Sequence, residues 1–318
     1  MAFAIPKENY AGKVREIVIG KGDKAVKIGG YDSMPLCTFE GTWPNKPVVA
    51  MEVYDVAPEL NAQGWPPATF EAFKDVINDP GAWAKKCLEY GADLICVQLA
   101  GTDPNAQNKS AEEAIEVVKK VKEAVGDIPL IIWGSNNLEK DQEVLPAIME
   151  AFPNENWLFG PAEEGNYKKI TASAIGYGHL VAGKSSIDVN LAKQLNILIE
   201  NLGLSLDKVV MDPTTASLGY GIEYTYSVME RISLAALAQN DDKMQNPFIN
   251  DLAKEAWKTR EAMLTVEEEP TYGEQNTRGI LMESITAIDL IAAGSSILIM
   301  RNPTAVKVIK ELINELYS

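Results

Sequence analysis

Eight short apolar segments recur between Pro47 and Met300, and most are followed by a stretch with helical spacing. They are Pro47–Val53, Ala92–Leu99, Ile128–Gly134, Asn156–Gly160, His179–Ala182, Lys208–Met211, Pro247–Asn250 and Ser295–Met300. Most are apolar at nearly every position, the pattern of parallel strands covered on both faces. Parallel strands need crossovers, and Ala111–Val125, Leu138–Ala151, Val189–Leu202 and Ile280–Ala293 supply amphipathic helical patterns for them. Ser110 followed by Glu113 predicts a capping box, and Gly203 and Gly294 stand where helix ends favour φ > 0. Eight βα units in one series predict an α/β protein, a (β/α)8 TIM barrel, with a doubly wound open sheet as the alternative. No linker or composition break divides the series, so residues 46–318 read as one barrel. Residues 1–45 read as an extension: Val14–Gly20 and Lys24–Gly30, joined by Lys21-Gly-Asp23, carry a β-hairpin signal.

Charge and residue inventory narrow the function. With 29 Lys and Arg against 45 Asp and Glu, the net charge is −16, which argues against nucleic-acid binding, where Lys and Arg must displace counterions. No apolar run reaches the roughly 20 residues of a membrane span, and the start MAFAIPKENYAGK is too weakly apolar for a signal peptide. A cytoplasmic protein without a membrane partner is expected. Cys37, Cys87 and Cys96 are too few for the four thiolates of an iron–sulfur cluster, and no C-x-x-C pair occurs. A single histidine, His179, removes most catalytic triads and His-rich metal sites.

In a barrel, function gathers where strands end in their following loops. Those positions hold Glu52 and Asp55, Gln98 and Thr102, Ser135 and Asn136, Glu163, Ser185, Asn250 and Asp251, and Arg301 and Asn302. The sixth strand opens the richest loop, Asp212-Pro-Thr-Thr-Ala-Ser-Leu-Gly-Tyr-Gly221. Small hydroxyls, amides and glycines dominate, groups that hydrogen-bond without bulk and admit close approach. Glu52 or Asp212 could serve as a general acid if burial raised its pKa. Gly178-His-Leu-Val-Ala-Gly-Lys-Ser185 matches the phosphate-binding P-loop pattern, with Val209–Asp212 as its magnesium partner. However, the intervening residues are themselves the best strand candidate, and a strand cannot wrap a phosphate. His179 and the thiols of Cys87 and Cys96 read as packing residues.

Several stretches together resemble one family: Ile28-Gly-Gly30 with Phe39-Glu-Gly41, Met51–Asp55, Val76–Cys87, Tyr90–Leu94, Leu138-Glu-Lys-Asp141, Asn166-Tyr-Lys168, Asp188–Leu198, Asp212–Ile232, and Thr277–Leu281 leading to Leu298–Arg301. These resemble the small subunit of the corrinoid iron–sulfur protein, the delta subunit of the acetyl-CoA decarbonylase/synthase system. The resemblance runs through nearly the whole chain and is densest in DPTTASLGYGIEYTYSVMERI. It implies a TIM barrel paired with a large subunit that carries a 4Fe–4S cluster and holds most of a cobalt corrinoid. The pair would carry a methyl group from a methyltetrahydrofolate-dependent methyltransferase to acetyl-CoA synthase/CO dehydrogenase in the reductive acetyl-CoA (Wood–Ljungdahl) pathway of anaerobes. The chain would then cover the corrinoid, with no turnover of its own, through a rim of Ser135, Asn136, Ser185, Asp212, Thr214, Thr215, Ser217, Gly219, Tyr220, Asn250 and Arg301. The alternative is a pterin-binding barrel methyltransferase acting by itself, with Glu52, Asn136, Asp212 and Asn250 on the pterin. A phosphate-handling lyase or aldolase using Lys184 is a third reading.

Overall fold

The N-terminal hairpin forms between β1 (Glu16–Ile19) and β2 (Val26–Gly29), antiparallel, with Ile17 opposite Ile28. In this computed structural model the described residues are 5–317; Ser318 and the opening Met1–Ala4 of the segment read against a signal peptide lie outside them. Side chains alternate along β1, and the inward Ile17 and Ile19, with Ile28 of β2, join the core that fills the barrel. Gly20 donates its N–H to the Asn156 carbonyl at 2.7 Å, and the Asn156 amide donates back to Val18 O at 2.7 Å. The hairpin therefore plugs the end of the barrel at which the strands begin.

Eight parallel strands follow: β3 (Val48–Tyr54), β4 (Leu94–Gln98), β5 (Leu130–Trp133), β6 (Leu158–Ala162), β7 (Leu180–Lys184), β8 (Val209–Asp212), β9 (Phe248–Asp251) and β10 (Ser295–Met300). They close into a barrel in chain order, the last strand pairing with the first, Ile299 opposite Ala50. The open-sheet alternative is excluded. Within each strand the two-residue period sorts the side chains. Ala50, Cys96, Ile131, Ala182, Val210 and Ile299 fill the lumen, whereas Val49, Val97, Ile132, Val181 and Leu298 pack outward under the helices.

The helices are α1 (Pro67–Phe73), α2 (Pro80–Glu89), α3 (Ala111–Val125), α4 (Leu138–Ala151), α5 (Tyr167–Tyr177), α6 (Val189–Asn201), α7 (Ile222–Leu237), α8 (Leu252–Trp257), α9 (Arg260–Met263), α10 (Gln275–Ala292) and α11 (Pro303–Leu316). The Ser110–Glu113 capping box forms at α3, and Gly203 and Gly294 have φ of +103° and +99° just past α6 and α10. Helix α10 begins five residues before the expected Ile280, because Glu274 caps it through the N–H groups of Asn276 and Thr277. Its polar first turn carries no periodic apolar signal.

Candidate active site at the barrel mouth

The lumen changes character at the C-terminal ends of the strands. Below lie alanines and isoleucines; above them come Glu52, Gln98, Lys184, Asp212, Asp251 and Arg301, all but Lys184 and Asp251 buried. Opposite charges and hydrogen bonds divide this layer in two. Along the β3–β10 seam, Arg301 donates from Nε to Glu52 and from Nη1 to the Gly64 carbonyl. Its Nη2 donates to Tyr54 Oη at 3.0 Å, and its guanidinium lies 4.2 Å from the Trp65 ring centroid. Burial pushes the Glu52 carboxyl up, opposed by the attraction of Arg301. Glu283 of α10 accepts N–H groups from Arg301 and Asn302 and the Trp257 indole, and burial raises it to about 7. This seam is a sealed polar network.

Across the lumen, a cavity of about 250 Å³ opens between β5, β7, β8 and the start of α8. Asp212 closes its floor. Burial raises this carboxyl to about 7 despite the nearby Lys184 ammonium. Thr214 donates its N–H to Asp212 Oδ1 at 2.8 Å and its hydroxyl to the Ser185 carbonyl at 2.8 Å. Thr214 sits at φ +67°, a conformation few β-branched residues adopt. Ser185 donates its N–H to the Asp212 carbonyl at 2.9 Å, so the loops after β7 and β8 are laced together. Lys184 bridges Asn136 Oδ1 at 3.1 Å and Glu163 Oε1 at 3.2 Å. Asn250 donates its amide to Thr215 Oγ1 at 3.1 Å, while its Oδ1 and Asp251 Oδ1 are buried without a hydrogen-bond partner.

Sequence reasoning missed Asp141, near the start of α4, which accepts from Ser135 N–H, Ser135 Oγ and Asn136 N–H at 2.8–3.0 Å. It fixes the loop in which Asn136 takes φ +67°, and burial raises its carboxyl to about 6. Lys254 of α8 and Lys258, just past its end, also line the cavity. Their i,i+4 spacing directly after a strand end was the available signal.

Of the residues expected on the rim, the structure brings Ser135, Asn136, Asp212, Thr214 and Thr215 to the cavity. Asn250 touches it through Thr215 and Ser185 through Thr214. Ser217 is buried in the β8–α7 loop. Gly219, at φ +77°, makes a turn with open space where a Cβ would stand. Tyr220 points outward, donating to Glu261 at 2.9 Å. Arg301 lies beneath the β3–α1 loop, committed to Glu52 and Gly64 rather than to the cavity.

The P-loop reading fails structurally: Leu180–Lys184 is strand β7, and Gly178 ends α5. His179 lies at the opposite end of the barrel. It accepts from the Trp157 N–H at 3.3 Å and packs edge-on to Phe159, and burial holds its pKa down at about 4. Burial pushes the thiols of Cys87 and Cys96 well up. Among the described residues no group of three or more His, Cys, Asp or Glu side chains could hold a metal ion, and no helix is long and apolar enough to cross a membrane.

The closed parallel sheet and its crossover helices define a (β/α)8 barrel, the fold that dihydropteroate synthases share. The Coxiella burnetii enzyme in complex with pteroic acid superposes with a TM-score of 0.57 at 12% identity, covering 96% of this chain and all of that one. The Xanthomonas albilineans enzyme with 4-aminobenzoic acid gives 0.57 at 13%, covering 89% and 98%. Sequence is more specific. The family profile of the CO dehydrogenase/acetyl-CoA synthase delta subunit matches residues 16–317, and the chain belongs to that family. It is 36% identical to the acetyl-CoA decarbonylase/synthase complex subunit delta of Archaeoglobus fulgidus, over 98% of this chain and 70% of that protein. For the Methanocaldococcus jannaschii subunit delta the figures are 37%, 96% and 75%.

Proposed function

We propose that this chain is the small subunit of a two-chain corrinoid iron–sulfur methyl carrier and that its barrel mouth covers a cobalt corrinoid held mainly by the large subunit. The size of the mouth cavity carries this reading. At about 250 Å³ it falls below the roughly 300–1,000 Å³ of pockets that engulf drug-sized ligands, so a corrinoid can lie across it but not inside it. Three cysteines are too few for the iron–sulfur cluster, which falls to the partner. The corrinoid's cobalt supplies the methyl-carrying chemistry; this chain's part is to hydrogen-bond its amide arms and exclude water. Ser135, Asn136, Thr214 and Thr215 are of the right kind, and their loops are held by Asp141 and Asp212. The only imidazole, His179, is buried at the far end of the barrel, so it is no competitor for the metal. The methyl donor side would be a methyltetrahydrofolate-dependent methyltransferase and the acceptor acetyl-CoA synthase, in the cytoplasm. Reconstitution with the large subunit tests this: Thr214→Trp or Thr215→Trp should lower corrinoid retention or methyl transfer, and unchanged values for both would contradict it.

A second reading is pterin binding by the barrel itself. The buried, unpartnered Asn250 Oδ1 and Asp251 Oδ1 favour it, because they could accept N–H groups of a flat heterocycle. Saturable methyltetrahydrofolate binding by the isolated chain, abolished by Asn250→Ala, would establish this reading over the first.

A further inference from the structure

Backbone strain gathers around the mouth cavity. Three of its loops each hold a non-glycine residue in the left-handed region: Asn136 at φ +67° after β5, Ile187 at +52° after β7 and Thr214 at +67° after β8. Ile187 and Thr214 are β-branched, for which this conformation is a genuine outlier. Hydrogen bonds between the loops hold it: Ile187 donates its N–H to the Pro213 carbonyl at 3.2 Å, and Thr214 its hydroxyl to Ser185 O at 2.8 Å. Strain fixed by its surroundings clusters at ligand sites, where it sets polar groups in place before a ligand arrives.

The charges on the cavity wall balance, but they are not all paired. The lining carries the ammonium groups of Lys184, Lys254 and Lys258 and the carboxyls of Asp212, Asp251 and Glu255. Lys184 is committed to Glu163 at 3.2 Å and Lys258 to Glu255 at 2.6 Å. Lys254, in the first turn of α8, stands exposed and pairs with no carboxylate among the described residues. Asp251, three residues before it, accepts only from the neutral Gln98 amide, at 3.1 Å, and its Oδ1 has no partner. One wall of the cavity therefore offers a free cation beside an underused acceptor. A small anion would face Asp251 and Asp212, and a small cation would face Lys254. A net-neutral molecule with a charge of each sign meets neither repulsion.

We propose that the mouth cavity is a binding site of this chain's own, for a small zwitterion with the chemistry of a free amino acid, its carboxylate on Lys254 and its ammonium on Asp251. The hydroxyls of Ser135, Thr214 and Thr215, which share the cavity, face the rest of the molecule. The site needs neither the corrinoid nor a partner chain. Thermal shift and then titration calorimetry of the full chain against each of the common amino acids, with acetate and butylamine as single-charge probes, make the test. At least one amino acid should raise the melting temperature and bind saturably, with acetate and butylamine at least about tenfold weaker. Lys254→Met should weaken that amino acid at least about tenfold, the effect of losing one charge-assisted hydrogen bond. Its own melting temperature should match the parent, since the side chain is exposed. Asp251→Asn should weaken binding to a similar degree, and Lys307→Met, on the exposed side of α11, should bind like the parent. No saturable binding of any amino acid, equal affinity for acetate or butylamine, or undiminished binding by Lys254→Met would overturn the site. Each of those results would leave the covering role standing, because that role is read only with the large subunit present.

Discussion

Replacing Arg301 with Met removes the cation from the sealed seam but leaves Glu52 where it is. That carboxyl is 1% exposed, and with the guanidinium gone nothing of opposite charge faces it. The folded variant must then keep Glu52 protonated, while the unfolded chain releases the proton near the ordinary value of 4.5. Holding a proton costs about 1.4 kcal/mol for each pH unit above that value, or about 3 kcal/mol at pH 7. This agrees with the roughly 3–5 kcal/mol typical of breaking a buried pair from one side. The sign follows from the raised pKa: stability is intact below pH 4.5 and drains away as the pH rises. Because burial already raises Glu52 in the parent, parent and variant lose stability together while both hold the proton, so their gap in guanidinium unfolding should widen only above the parent's own Glu52 pKa, by about 1.4 kcal/mol per unit from there. Glu52→Gln/Arg301→Met, with no charge to bury, should recover most of the loss and show no such slope. A gap that stays constant as the pH is raised past the parent's Glu52 pKa would refute the assignment of Arg301 to this pair.

Asp212→Asn should behave oppositely. Its carboxyl, raised to about 7, is a burden only where the unfolded chain would ionise, so the variant should be more stable at pH 8 by on the order of 1–3 kcal/mol and unchanged at pH 4. Equal gains at both values would contradict the raised pKa. A Cβ at Gly134 would stand 2.5 Å from the Asp141 carboxyl, so Gly134→Ala should break the bonds that hold Ser135 and Asn136. The expected loss, about 2–3 kcal/mol, should match that of Asp141→Ala and not add to it in the double variant; full additivity in denaturant titrations would argue against a shared cause.

Much of the scaffold is legible in the chain because barrel strands and their crossovers carry strong local signals. The apolar runs mark all eight strands to within two residues at every end, and α3 and α4 begin and end where their periodicity does. The mouth is legible only in outline. Strand-end positions identify Asn136, Asp212 and Thr214, but not whether a long side chain turns toward ligand or neighbour. Arg301 turns to Glu52, 249 residues away. Local pattern cannot contain that pairing, although closure of the barrel brings the first and last strands together and so puts a lone Glu beside a lone Arg. Tyr220 fails for a different reason: the turn at Gly219 reverses the loop, so the next residue points to α9. Asp141 is hidden within a helix, where an acidic residue in the first turn reads as dipole compensation.

The claim that this barrel shields a corrinoid held by another chain is tested most directly by the lifetime of reduced cobalt. The large subunit, loaded with corrinoid and reduced to Co(I), should lose its Co(I) absorbance quickly in the presence of trace oxidant when alone and markedly more slowly once this chain is added. The isolated chain should retain no corrinoid through gel filtration. An unchanged Co(I) decay on addition of this chain, or stoichiometric corrinoid carried by this chain alone, would contradict the account.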